Sequence, residues 1–383
     1  MGAAIPWFLV TPTARNKNEP NGAAGKSKTA SSAHHRPWTW IAPIAAWLTL
    51  LGAGLGDYFV IVLAAALTAG VLAAVHHAEV IALRVGEPFG ALVLALAVTV
   101  IEAALLLSLM IAGGAGAASL LRDTIFATVM LILNGIVGFS LVMGGIRHLE
   151  QAFDTRGVSS TLAVLAALSV LTLVLPNYTT TVPGPYYAPS QLVIVAVVSV
   201  VLYAIFIVAQ TIRHRSYFLP QNATEEQGQP PSLRETGASG LLLLVSLGAV
   251  VLLAHAIAPV LERVVQAAGA PKATVGVIIA AVVLLPEAIA AIRAALADRI
   301  QISLNLGLGS ALASMALTIP VVAFVSLVAG WQLALGLDGK STVLLFLSLL
   351  VSTLSLSTGR TTALQGAVHL VILVVYLATT LIP

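Results

Sequence analysis

Apolar residues run through this chain in long unbroken stretches, interrupted by short polar or Gly- and Pro-containing breaks. Eleven stretches stand out, at 38–54, 58–83, 88–112, 120–146, 158–175, 191–212, 238–258, 273–297, 302–329, 342–357 and 362–382. A helix needs roughly 20 apolar residues to cross the hydrocarbon core of a bilayer, and only the first and tenth stretches fall clearly short of that. No stretch alternates apolar and polar residues as a lipid-facing strand must, so a β-barrel is excluded. The pattern predicts an all-α polytopic membrane protein with about eleven transmembrane helices.

The polar breaks orient those helices. With the N-terminus inside and the spans alternating, the inside segments hold Arg15, Lys17, Lys26, Lys28, Arg36, Arg84, Arg147, Arg156, Arg213, Arg215, Arg234, Arg293, Arg299 and Arg360. The outside loops hold only Arg122, Arg263, Lys272 and Lys340. That asymmetry follows the positive-inside rule along the whole chain, and a missed span would scramble it. It predicts a cytoplasmic N-terminus and an external C-terminus.

Residues 1–37 are polar and read as a disordered cytoplasmic tail without a signal peptide, followed by an extra first helix at 38–56. The longest inside break, 213–237, contains Pro220, Pro230 and Pro231 and reads as a linker. It separates two five-helix units, 57–212 and 238–383. Units with an odd number of spans enter the membrane from opposite sides, which is the topology of an inverted repeat.

Composition agrees. Hydrophobic residues make up 59% of the 383 and charged residues 9%, against about 25% charged in soluble domains. Membrane lipid is therefore the surrounding medium. A net charge of +3 reads as the positive-inside bias and gives no ground for a nucleic-acid partner. The absence of cysteine excludes disulfides, zinc–thiolate sites and iron–sulfur clusters.

Two charges break the apolar runs where a charge is costly. Glu102 lies near the centre of the third stretch and Glu287 near the centre of the eighth, five spans later. A carboxylate at bilayer mid-depth costs a few kcal/mol or more and marks a cavity, a partner or a pathway. No Lys or Arg lies within a helical turn of Glu102, and Arg293 is six positions beyond Glu287. Placed at the interface of an inverted repeat, the pair would be neutralised by one divalent cation or by protons, the requirement for an exchanger.

Calcium takes six to eight oxygens. Pro286 has no N–H, so it bends the eighth stretch and frees the Val282 carbonyl as a ligand. Thr99, Asn134, Ser310 and Ser314 offer further oxygens. Ser303, Gly307, Ser310 and Ser314 fall on one helical face, and the run 309–314 aligns without a gap to 129–134 in the first unit.

Other polar residues read more plainly. His77, Glu79 and Glu87 are placed toward the inner ends of the second and third stretches and could line a cytoplasmic vestibule. His255 and His369 are isolated and read as packed histidines. Asn222-Ala223-Thr224 matches a glycosylation acceptor but falls in an inside loop. No His-Glu-x-x-His or Gly-x-Ser-x-Gly element suggests an enzyme. A monovalent Na+ or K+/proton antiporter and a cation channel are the rival readings, and a homo-oligomer is compatible with all of them.

Several stretches together carry a resemblance. They are His77-Ala78-Glu79-Val80, Gly86-Glu87-Pro88-Phe89-Gly90 followed by Ile101-Glu102, Gly145-Ile146-Arg147-His148, Leu175-Pro176-Asn177-Tyr178, His214-Arg215-Ser216-Tyr217-Phe218, Leu285-Pro286-Glu287 and the run from Ser303 to Ser314. On these the chain resembles the ChaA-type Ca2+/H+ antiporters of the calcium/cation antiporter superfamily. The resemblance implies two α-repeats forming one ion pathway, exchange of cytoplasmic Ca2+ for external H+, and a bacterial inner-membrane location. It implies Glu102 and Glu287 as the central acidic pair and no cofactor, with Na+ and K+ as further cargo of related proteins. Eukaryotic-type members carry Gly-Asn before the motif glutamate, where this chain has Val100-Ile101 and Leu285-Pro286.

Overall fold

The computed structural model describes residues 37–53, 59–86, 89–113, 118–218 and 230–382. Glu87, the Asn222 acceptor, the tail before residue 37 and linker residues 219–229 lie outside them.

Helices account for nearly all of the described chain, because a backbone in hydrocarbon must satisfy its own hydrogen bonds. The first unit runs through α2 (Val60–Val85), α3 (Phe89–Gly113), α4 (Leu120–Met130) continuing into α5 (Val137–His148), α6 (Thr155–Ser169) and α7 (Pro189–Val208). The second runs through α8 (Leu233–Ala267), α9 (Ala273–Val283) with α10 (Leu285–Leu296), α11 (Ile300–Ala313) continuing into α12 (Ile319–Ala329), α13 (Gly339–Leu356) and α14 (Ala363–Leu381).

Among the described residues nine helices are long and apolar enough to cross a membrane, and ten if the bent pair α9–α10 counts as one span. The eleventh expected span, α1 (Pro37–Leu50), has 14 residues. At about 1.5 Å per residue it falls short of a hydrocarbon core of about 30 Å. Its apolar run breaks at a turn closed by Gly52 N–H to the Thr49 carbonyl, 3.0 Å.

Among the described residues four spans contain π-helical turns, and two of these turns fall in the third span of their unit. Leu131–Ile136 joins α4 to α5, and Ser314–Thr318 joins α11 to α12. A π turn fits one extra residue and breaks the regular ladder, so it redirects side chains and frees backbone groups.

The units interlock rather than sit side by side. α2 packs on α8, α4 on α9, and α5 on both α14 and α10. The main core draws on both, with Ile125, Met130 and Leu133 of one beside Leu304, Leu308 and Leu312 of the other. Small residues permit close crossings: a Cβ on Gly366 of α14 would meet the Val142 nitrogen at 2.6 Å and the Gly138 carbonyl oxygen at 2.7 Å. Hydroxyls in these helices return their protons to the preceding turn, as Thr161 does to Gly157 and Ser246 to Leu242.

Candidate cation site

Glu102 sits in mid-α3 and is 2% exposed. The hydroxyl of Thr318 donates to its Oε2 at 3.2 Å, and Ser314 is its second side-chain hydrogen-bond partner. Both donors come from the π turn of the other unit, which packs against α3. The first unit's carboxylate is thus held by two hydroxyl side chains presented on the second unit's π turn.

Glu287 stands in the first turn of α10, beyond a 55° break in the eighth span. Pro286 causes the break as expected: it has no N–H to offer the Val282 carbonyl, and the helix restarts with Ala288 N–H bonded to Leu284, 2.9 Å. Glu287 is partly buried, and its Oε2 is enclosed without a hydrogen-bond partner. Glu102 and Glu79 are the acidic groups whose field reaches it. Among the described residues no Lys, Arg or His pairs with Glu102 or Glu287.

A cavity of about 270 Å³ reaches this region. Its walls are the first half of α3, the end of α7 with its π extension, the start of α10, and the length of α11 as far as Ser314. Glu287, Thr99, Ser310 and Ser314 line it, with Gln210, Thr211 and Asn305 adding neutral polar groups. These helix ends neighbour Arg213, Arg215 and Arg299, which the charge pattern places inside.

At the other end the loops are knitted together. Asn177 donates to the Leu337 carbonyl at 2.6 Å, Leu335 N–H to Pro185 at 3.0 Å, and Arg122 to Gly336 at 3.2 Å. Tyr187 donates to the Leu171 carbonyl, and burial pushes its phenol up to about 12.

The structure sorts the residues singled out in the sequence. Thr99, Ser310, Ser314 and Glu287 share the cavity, and Glu102 joins them through Ser314. Thr99 donates to the Ala95 carbonyl at 2.9 Å, which leaves its oxygen free to accept. The predicted serine face splits, because Gly307 packs against Ile132 and Ile136 and the buried Ser303 hydroxyl has no partner.

Val282 is not among the lining residues, and its carbonyl faces the Leu284 N–H. Asn134 points elsewhere: its amide donates to Ser348 at 2.8 Å. His77 is buried rather than set in a vestibule, between the Thr39 carbonyl at 3.1 Å and the Ser239 hydroxyl at 3.4 Å, so it ties α2 to α1 and α8. Glu79 lies in the C-terminal part of α2 with its side chain 50% exposed, 3.9 Å from His76.

Sequence reading missed Thr318. The signal was its place four residues after Ser314, one turn along the same stripe. Among the described residues no group of three or more His, Asp or Glu is placed to hold a metal ion together.

The pattern of the sodium/calcium exchanger protein family matches this chain twice, over residues 57–212 and 238–382. The y4hA protein of Sinorhizobium fredii is 49% identical over 363 residues, covering 92% of this chain and 98% of that one. The sodium-potassium/proton antiporter ChaA of Escherichia coli is 33% identical over 364 residues, with the same coverage. In fold, the chain matches the structure of native YfkE with a TM-score of 0.71 at 17% identity, covering 90% of this chain and 100% of that one. Its selenium-substituted form is described as a Ca2+/H+ antiporter protein. Two matches separated by the linker, and relatives aligned from end to end, place the whole membrane region in one family: the chain belongs to the sodium/calcium exchanger proteins.

Proposed function

We propose that this protein is a secondary cation/proton antiporter that exchanges Ca2+ for H+ at Glu102 and Glu287 by alternating access. The observation that carries the reading is the pair of membrane-buried carboxylates, without a basic partner among the described residues, one lining a cavity of about 270 Å³ and the other bonded to Ser314 on its wall. Ionised, the two match the charge of one divalent cation. Protonated, they are neutral and need none, so cation and protons exclude each other.

Ca2+ takes oxygen ligands at about 2.3–2.6 Å in flexible numbers, and Ser310, Ser314 and Thr99 stand ready beside the carboxylates with water to complete the shell. The hydroxyls of Ser314 and Thr318 hold Glu102 in place in either state.

The basic residues near the cavity support an inward-open state with the N-terminus inside, in a bacterial inner membrane. The two family matches support the repeats at 57–212 and 238–383. A second reading keeps the site and changes the cargo: the 33% identical relative is named for sodium, potassium and protons, and two carboxylates with hydroxyls also suit a monovalent ion.

The test is proton movement in everted vesicles on adding Ca2+, Na+ or K+. The proposal expects Ca2+ to collapse the pH gradient for wild type and to do nothing for inserted Glu102→Gln or Glu287→Gln. Full activity in both variants would sink the site. A response to Na+ or K+ alone would replace the cargo.

A further inference from the structure

The two π turns are related by the repeat, and the alignment of 309–314 with 129–134 makes Asn134 the counterpart of Ser314. Their side chains nevertheless behave differently. Ser314 reaches across to Glu102 of the other unit. The turn that carries Asn134 packs against α10, which carries Glu287, yet Asn134 faces α13 and α14.

Its amide nitrogen donates to Ser348 at 2.8 Å, and its oxygen faces Nδ1 of His369 at 3.3 Å. The Leu133 carbonyl of the same turn also faces that ring. On the ring's far side, Nε2 lies 2.9 Å from the Ser355 hydroxyl. The directions follow from chemistry. An amide oxygen only accepts, so Nδ1 carries the proton and donates to Asn134, and Nε2 accepts from Ser355. Ser348 in turn donates to the Leu344 carbonyl at 2.8 Å. The chain from Ser355 through His369 and Asn134 to Ser348 is complete, with every donor used in one sense, and Asn134, Ser348 and His369 are fully buried.

Glu287 shows the complementary defect, an enclosed Oε2 with no donor at all. One carboxylate of the pair has its cross-unit donor. The other lacks it, and the residue in the matching position is tied up behind it.

The geometry points to His369 and Ser348 as a latch: they hold the Asn134 amide away from Glu287 in this conformation, and its release delivers that amide to Glu287 when the cavity closes. His369 is then a positioning residue that acts through Asn134 and touches no cation. This rests on the alternating-access reading for its purpose but not for its test.

The experiment reads Ca2+ and Na+ binding to the purified protein by titration calorimetry, alongside exchange in vesicles. His369→Leu frees the amide early. Its donation to a cation-loaded carboxylate is expected to tighten binding about tenfold, the worth of one hydrogen bond to a charged group, while turnover slows. Ser348→Ala should shift binding in the same direction, and His369→Gln, which keeps a donor, should restore wild-type binding. In an Asn134→Ala background, His369→Leu should change nothing further.

Unchanged affinity in a His369→Leu protein that melts like wild type overturns the latch. So does a shift that persists without Asn134. Should His369→Leu fail to fold, Ser348→Ala with and without Asn134→Ala decides on the same criteria. Absence of exchange by wild type, with the binding shift intact, would fault the antiport reading and leave the latch standing.

Discussion

Thr318→Val removes one hydroxyl from the site while keeping its shape. That hydroxyl donates to Glu102 Oε2 at 3.2 Å in a fully buried setting. A hydrogen bond to an ionised acceptor contributes about 1.5–3 kcal/mol, and much less when the acceptor is neutral. Ser314 remains on the same carboxyl, so the lower figure applies, about 1.5 kcal/mol against about 0.5 for the neutral acceptor, a difference of about 1 kcal/mol or about fivefold in an equilibrium constant. Because the bond is stronger to the ionised group, its loss disfavours the cation-loaded form relative to the proton-loaded one. At fixed pH the cation concentration giving half-maximal exchange should therefore rise about fivefold, and raising the pH, which thins the competing protons, should recover it. Everted vesicles with a proton-sensitive dye give both curves. Thr318→Ser keeps the donor and should behave as wild type. A half-maximal concentration unchanged in Thr318→Val, with only the maximal rate reduced, would refute the argument and make Thr318 a packing residue.

Two other expectations are independent of that bond. The chain has no cysteine, so Ser310→Cys supplies a single thiol on the cavity wall. A membrane-impermeant maleimide should label it in everted vesicles and not in intact cells, and the opposite pattern would reverse the orientation. Asp154→Ala removes the cap of α6, where the carboxylate accepts from Arg156 N–H at 2.9 Å and pairs with the guanidinium. The cap is worth about 1 kcal/mol, and the largely exposed ion pair adds little. The hydrogen bonds from Arg156 hold the Asp154 carboxyl below the usual carboxylate range. The contribution is therefore full above the unfolded value of about 4 and vanishes as pH falls through the lowered folded one. Melting temperatures in detergent should differ at neutral pH and converge in acid. A constant gap would contradict it.

Much of this was legible in one sequence because lipid imposes simple rules. Long apolar runs can only be helices, and a lone glutamate inside one is conspicuous. The Pro286 bend and the cavity positions of Ser310 and Ser314 follow from local chemistry that neighbours cannot override. The misses have a common cause. His77 pairs with Ser239 across 162 positions and Asn134 with His369 across 235, and no local pattern announces such partners. Thr318 meets Glu102 across 216 positions, so its place on the serine stripe alone did not mark it out. The N-terminal helix α1 is present but ends after 14 residues, because an apolar run shows where a helix could lie and not where a turn at Gly52 ends it.

The paired π turns also bear on ancestry. Each is one inserted residue in an otherwise regular helix, and both fall in the third span of their unit. Separate insertions after duplication would have had to strike the same place twice. The more economical history puts one insertion in a half-length gene before duplication. Two copies of that product, set in the membrane in opposite orientations, would already have brought two carboxylates and two bulges together. In that history the paired bulges are older than the linker, and after fusion they diverged, so that one now carries Ser314 and the other Asn134.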